Sequence, residues 1–137
     1  GRALKRAHAD IKLSAAVFPS WPSCRDLLGQ DWVAWVRNGL VDFVCPMNYV
    51  TDDQEAATLA AEQIAAVAKH APVYPGLGPS TKGLSPEQVV HQVDLVRGEG
   101  AEGFVLFQLD ADLLNVHVPA LRAGALSTRG IAEPSHP

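Results

Sequence analysis

The stretch VDFVCPMNYVTDD (41–53) decides how the rest of the chain is read. It begins as an apolar run with the Val and Phe content of a buried strand, stops at Pro46, and then delivers Asn48, Tyr49, Asp52 and Asp53 within six positions. A strand that ends in a cluster of polar groups is the layout of an α/β site, where loops at the strand ends carry the chemistry.

Three other stretches resemble it: IKLSAAVF (11–18), PVYPGL (72–77) and GFVLFQL (103–109), with starts 30, 31 and 31 residues apart including the run at 41. Short apolar runs bounded by Pro or Gly read as strands buried on both faces. Helical patterns lie between them. Thr51 with Gln54 reads as a capping box opening a helix over about 52–69, and Ser85-Pro86 with Gln88 as a second cap, for a helix running to about Arg97. DWVAWVRNG (31–39) reads as a shorter helix closed by Gly39, and ADLLNVHVPALRAG (111–124) as helical with a break at Pro119. Residues 1–9 read as helical and the tail STRGIAEPSHP (127–137) as disordered. Strand and helix alternating at this spacing predict four right-handed parallel βα units. Such units form either a small open sheet or half of a (β/α)8 barrel.

The totals set limits. With 137 residues, 47% apolar, 19% charged and a net charge of −4, the chain suits one soluble globular domain, here residues 1–126. No basic cluster marks a nucleic-acid partner, no apolar run is long enough for a membrane, and the N-terminus lacks the apolar core of a secretory signal. Cys24 and Cys45 form no disulfide framework and read as reduced thiols.

The wording of KLSAAVFPSWPSCRDLLGQDWVAWVRNGLVDFVCPMNY (12–49), APVYPGLG (71–78) and GAEGFVLFQLD (100–110) resembles the family-10-like glycoside hydrolases, bacterial (β/α)8-barrel proteins, over about residues 1–125. The resemblance implies the second half of that barrel, with the four runs as strands five to eight and Asn48 standing where the family pattern suggests Asp. It implies a half TIM barrel with a hydrolase site at the C-terminal strand ends; the two strand edges that such a half would expose, at 11–18 and 103–109, predict closure into a full barrel by a second copy. The expected catalytic residues are Asp110, Asp52 and Asn48, and the expected substrate contacts are Tyr49, Gln108, Trp21 and Ser20 on a small molecule or carbohydrate. The pair of carboxyls that glycoside hydrolysis requires would come from Asp110 with Asp52 or Asp53.

Two alternatives remain open. LDAD (109–112) places Asp110 and Asp112 after an apolar run, with His117 near, which suits a divalent metal and phosphoester hydrolysis. The other is a non-catalytic fragment that self-associates as a homodimer through exposed strand edges. Asp52 and Asp53 also suit a helix N-terminus, and Asp110 a helix N-cap, without any catalytic role.

Overall fold

The computed structural model describes residues 2–126. The elements in order are α1 (Arg2–Ala7), β1 (Ser14–Val17), α2 (Trp21–Leu28), α3 (Trp32–Arg37), β2 (Phe43–Pro46), α4 (Asp53–Val67), β3 (Gly76–Leu77), α5 (Pro79–Lys82), α6 (Pro86–Gly98), β4 (Val105–Leu106), a π-helical turn (Leu113–His117) and α7 (Val118–Ala123). The tail expected to be disordered lies outside the described residues. No helix among those described is long and apolar enough to cross a membrane.

The sequence expectation of four parallel βα units in a half-barrel is not what forms. The strands make two separate two-stranded parallel sheets, β1 with β2 and β3 with β4. In the first, Ser14 faces Phe43 and Val17 faces Pro46; in the second only Gly76–Val105 and Leu77–Leu106 pair. The two meet at one bridge, Val44 with Val73, where Val44 N–H donates to the Pro72 carbonyl at 3.3 Å and Tyr74 N–H to the Val44 carbonyl at 3.0 Å. The physical cause lies in PVYPGLG (72–78): Pro72 and Pro75 have no N–H to give a ladder, and glycines beside them weaken a strand further. Without a continuous four-stranded sheet there is no half-barrel for a second copy to close.

Helices cover one face of these strands. Val17, Trp32, Val33, Val36, Val44, Val67 and Val73 form a core beneath β1 and β2. A second core, under β3 and β4, is built from Leu77, Leu84, Val89, Val93, Val96 and Leu121 with three alanines. Ile64 of α4 packs against both. Beside β1 and β4 the opposite face is open, with Phe18 46% and Phe107 44% exposed, so those two runs are not buried on both sides as their composition suggested, whereas Gly76 and Leu77 of β3 are both buried.

The helix signals are mostly realised. Ser85 and Gln88 make the reciprocal capping box, Ser85 Oγ accepting from Gln88 N–H at 3.2 Å and Gln88 Oε1 from Ser85 N–H at 3.1 Å. The start of α4 differs. Asp52, not Thr51, is its N-cap and accepts from Glu55 N–H at 2.7 Å; a carboxylate answers the positive helix end better than a hydroxyl. Pro119 does not break a helix but sits at the start of α7, just after the π turn. The turn from β1 is itself a helix, α2, because Pro22 falls in its first turn where no backbone donor is needed.

Candidate functional site

The β1–α2 corner is held by two side chains that the chain brings from far away. Gln63, on α4, donates from Nε2 to the Pro19 carbonyl at 3.1 Å and to Asn48 Oδ1 at 2.7 Å; Asn48 Nδ2 returns a bond to Gln63 Oε1 at 2.9 Å. Both amides are buried, Asn48 1% and Gln63 2% exposed. Gln63 shares a helix face with Ala56, Ala60 and Val67, all buried. Sequence reasoning missed Gln63; the signal that could have found it is a lone amide in an otherwise apolar stripe, since a buried amide requires partners.

The second tie is Asp31, the N-cap of α3. Its Oδ1 accepts from Ala34 N–H at 3.1 Å and from Trp21 Nε1–H at 2.8 Å, joining the first turns of α2 and α3. The Trp21 indole, followed by the Ala34 amide, holds the Asp31 carboxyl below its ordinary range. Arg25 covers one face of the Trp21 ring, its guanidinium carbon 5.0 Å from the centroid.

Between this corner and α4 lies a pocket of about 400 Å³ whose lining includes Ser20, Trp21, Trp32, Glu62 and Gln63. Ser20 and Trp21, both expected as substrate contacts, thus share one cavity, and Asn48 is bonded to its wall through Gln63. Trp32, Glu62 and Gln63 are pocket residues that strand-end reasoning did not reach, because each lies on a helix.

The remaining candidates fall elsewhere. Tyr49 stacks on Phe107, centroids 5.4 Å apart and planes 17° from parallel. It also lies over Gly76 of β3 and Gly78 just after it: a Cβ on Gly76 would stand 3.2 Å from the Tyr49 ring and one on Gly78 3.2 Å from Tyr49 Cβ, so glycine at both positions allows this close approach. Burial pushes the Tyr49 phenol up. Gln108 is exposed beside this stack. Asp110 Oδ1 accepts from Leu113 N–H at 2.8 Å, and that bond holds its carboxyl below the ordinary range. Asp52 is occupied as the α4 cap, and its neighbour Asp53 accepts from Gln92 Nε2 at 3.1 Å.

Of the metal candidates, Asp112 is exposed and stands 3.5 Å from Nε2 of the buried His117, while Asp110 faces its own turn. Among the described residues no three His, Cys, Asp or Glu side chains gather as a metal-binding group. The π turn that carries His117 is a feature often found at functional sites.

Comparison with protein-family models, curated proteins and solved structures gives no match. The likeness to glycoside hydrolases rests on the quoted sequence alone.

Proposed function

We propose that this chain binds a neutral, carbohydrate-sized molecule in the pocket between the β1–α2 corner and α4, and that binding rather than hydrolysis is what its own residues can perform. One observation carries the reading: Ser20 and Trp21 line a single pocket of about 400 Å³, within the size range of small-molecule sites. Aromatic faces suit sugar rings, and the Gln63–Asn48–Pro19 bonds give the pocket a fixed wall.

Hydrolysis asks for more. A glycosidase acid must carry its proton near neutral pH, which requires a raised pKa. The Asp110 carboxyl is displaced the opposite way by the Leu113 N–H, and Asp52 is engaged at the start of α4. Asp110 is thus not poised as a general acid, and the Asp52 carboxylate already serves as the cap of α4. Titration of mono- and disaccharides against the 1H–15N spectrum, beside a chromogenic glycoside and phosphoester screen with and without EDTA, separates the readings. Saturable shifts at the pocket without turnover are expected. Turnover lost in Asp110→Asn would establish the hydrolase instead, EDTA-sensitive phosphoester cleavage would establish the metal-dependent alternative, and no saccharide response would sink the carbohydrate reading.

A second observation favours self-association. On and after β4 the alternate residues Val105, Phe107 and Leu109 are 38%, 44% and 76% exposed. Exposed apolar side chains beside a free strand edge invite pairing. Light scattering across a dilution series should report a concentration-dependent mass; a monomer throughout would rule this out.

A further inference from the structure

The pocket lining is uneven in what it has left to offer a ligand. The Trp21 indole N–H is taken by Asp31, and the Gln63 amide by Asn48 and the Pro19 carbonyl. Trp32 has no exposed surface, so it shapes the cavity without presenting a polar atom to it. Glu62 differs. It is exposed, and among the described residues it makes no hydrogen bond or ion pair. The residues three and four positions from it on α4, Thr58, Leu59, Ala65 and Ala66, include no base that could hold its carboxylate. Ala65 and Ala66 also line the pocket, so the cavity runs along the helix face that carries Glu62.

What remains decides the chemistry of the ligand. A carboxylate has two oxygens that only accept, so it answers a pair of donors. Hydrogen bonds to such an ionised acceptor are about twice as strong as those between neutral groups. The Ser20 hydroxyl, with a long 3.4 Å contact to Ser23, can both donate and accept. Pro19, Pro22 and the Trp21 ring supply apolar surface in the same lining. A ring with one apolar face and two adjacent hydroxyls meets all of these groups. A ketone or an ether offers the carboxylate no donor, and an anion is repelled by it.

We propose that Glu62 is the specificity-determining residue of this pocket: its carboxylate accepts hydrogen bonds from two adjacent hydroxyls of a neutral ring. The inference rests on the binding function proposed above and names the part of the ligand that is read, a vicinal diol, whether carried by a sugar or by a plain carbocycle. Gln63 is buried and Glu62 is exposed, so the apolar face of the ring goes inward and the hydroxyls stay at the mouth. Water still reaches a carboxylate at the mouth, which keeps the gain from the second hydroxyl to about tenfold, or about 1.4 kcal/mol.

The probes are cyclohexanol, vicinal trans-cyclohexanediol, cyclohexylammonium, D-xylose and D-glucuronate. Each is titrated into the intact chain and followed in the 1H–15N spectrum at the backbone amides of Ser20, Trp21 and Gln63. The diol should bind about tenfold more tightly than cyclohexanol, and D-xylose more tightly than D-glucuronate. Glu62→Gln keeps the shape of the side chain but removes its charge and one of its two acceptors. Because position 62 is exposed and makes no bond, this variant should fold with the wild-type urea midpoint. It should bind the diol about tenfold more weakly than wild type and no longer discriminate against D-glucuronate. Diol binding that depends on Glu62, without any response to D-xylose, supports the proposal and removes the carbohydrate reading. D-xylose binding that Glu62→Gln leaves unchanged does the reverse. Equal affinity of the wild type for cyclohexanol and the diol, or tighter binding of cyclohexylammonium than of the diol, overturns the proposal. If no probe moves the pocket amides, the binding reading and the role of Glu62 fall together.

Discussion

Replacing Gln63 by Leu tests the architecture of the pocket most directly. The variant keeps the volume and removes the amide that meets Asn48 and the Pro19 carbonyl through bonds of 2.7, 2.9 and 3.1 Å. Asn48 is 1% exposed, so its oxygen and its amide protons would both be stranded away from water. A buried polar group left without a partner costs about 1–3 kcal/mol. With two such groups, partly offset by the apolar gain of Leu, the loss should be about 2–4 kcal/mol. That is a large share of the roughly 5–15 kcal/mol that holds a domain of this kind together. Urea denaturation followed by far-UV circular dichroism reads the loss, and the melting temperature should fall by about 10 °C. Asn48→Leu should cost a similar amount. The double variant Asn48→Leu with Gln63→Leu should cost less than the sum of the two, by about 1–2 kcal/mol, because neither amide is then stranded. A single-variant loss below about 0.5 kcal/mol, or a double variant that simply adds, would refute the reciprocal clasp.

Ser85→Ala removes one arm of the α6 capping box and should destabilise by about 1 kcal/mol, with Ser85→Gly costing less; equal stability of Ser85→Ala and wild type would discount the cap. Asp31, Asp42 and Asp110 all have lowered carboxyl pKa values in the folded chain, caused first by the Trp21 indole, the Leu13 N–H and the Leu113 N–H respectively. Their contribution to stability is therefore complete above the unfolded value of about 3.9 and is lost as pH falls through the lower folded values, so the urea midpoint should be flat near neutrality and drop below about pH 4; a midpoint that rises on acidification would contradict this. Burial raises the pKa of both the Cys24 and Cys45 thiols, so at pH 7 both should react slowly with a thiol reagent and become fast only in denaturant, whereas a rapid native-state reaction at Cys24 would show that α2 opens.

What the sequence determined by itself was local. Ser85-Pro86 and Gln88 set the start of α6 because a capping box is written within four residues. Gly39 closes the α3 region with a left-handed turn at φ 61° for the same reason, and the alternation of strand and helix follows from runs whose spacing can be counted. The neighbouring choice between Thr51 and Asp52 was already less legible, since both can cap and only the final path of the chain selects one. Pairing between strands was not legible. The runs looked alike in composition, but Pro72 and Pro75 withdrew two donors from the third, and whether a ladder survives that loss depends on what lies beside it. The pocket was beyond reach for the same reason. Ser20 and Trp21 could be suspected from the β1 end, yet their cavity needs Gln63, which bonds to Pro19 across 44 positions of chain, and Trp32, which is buried only once α3 packs beneath the strands. Caps and turns are decided by neighbours in sequence, whereas burial, and with it the cost of an unmet polar group, is decided only when distant segments exclude water together.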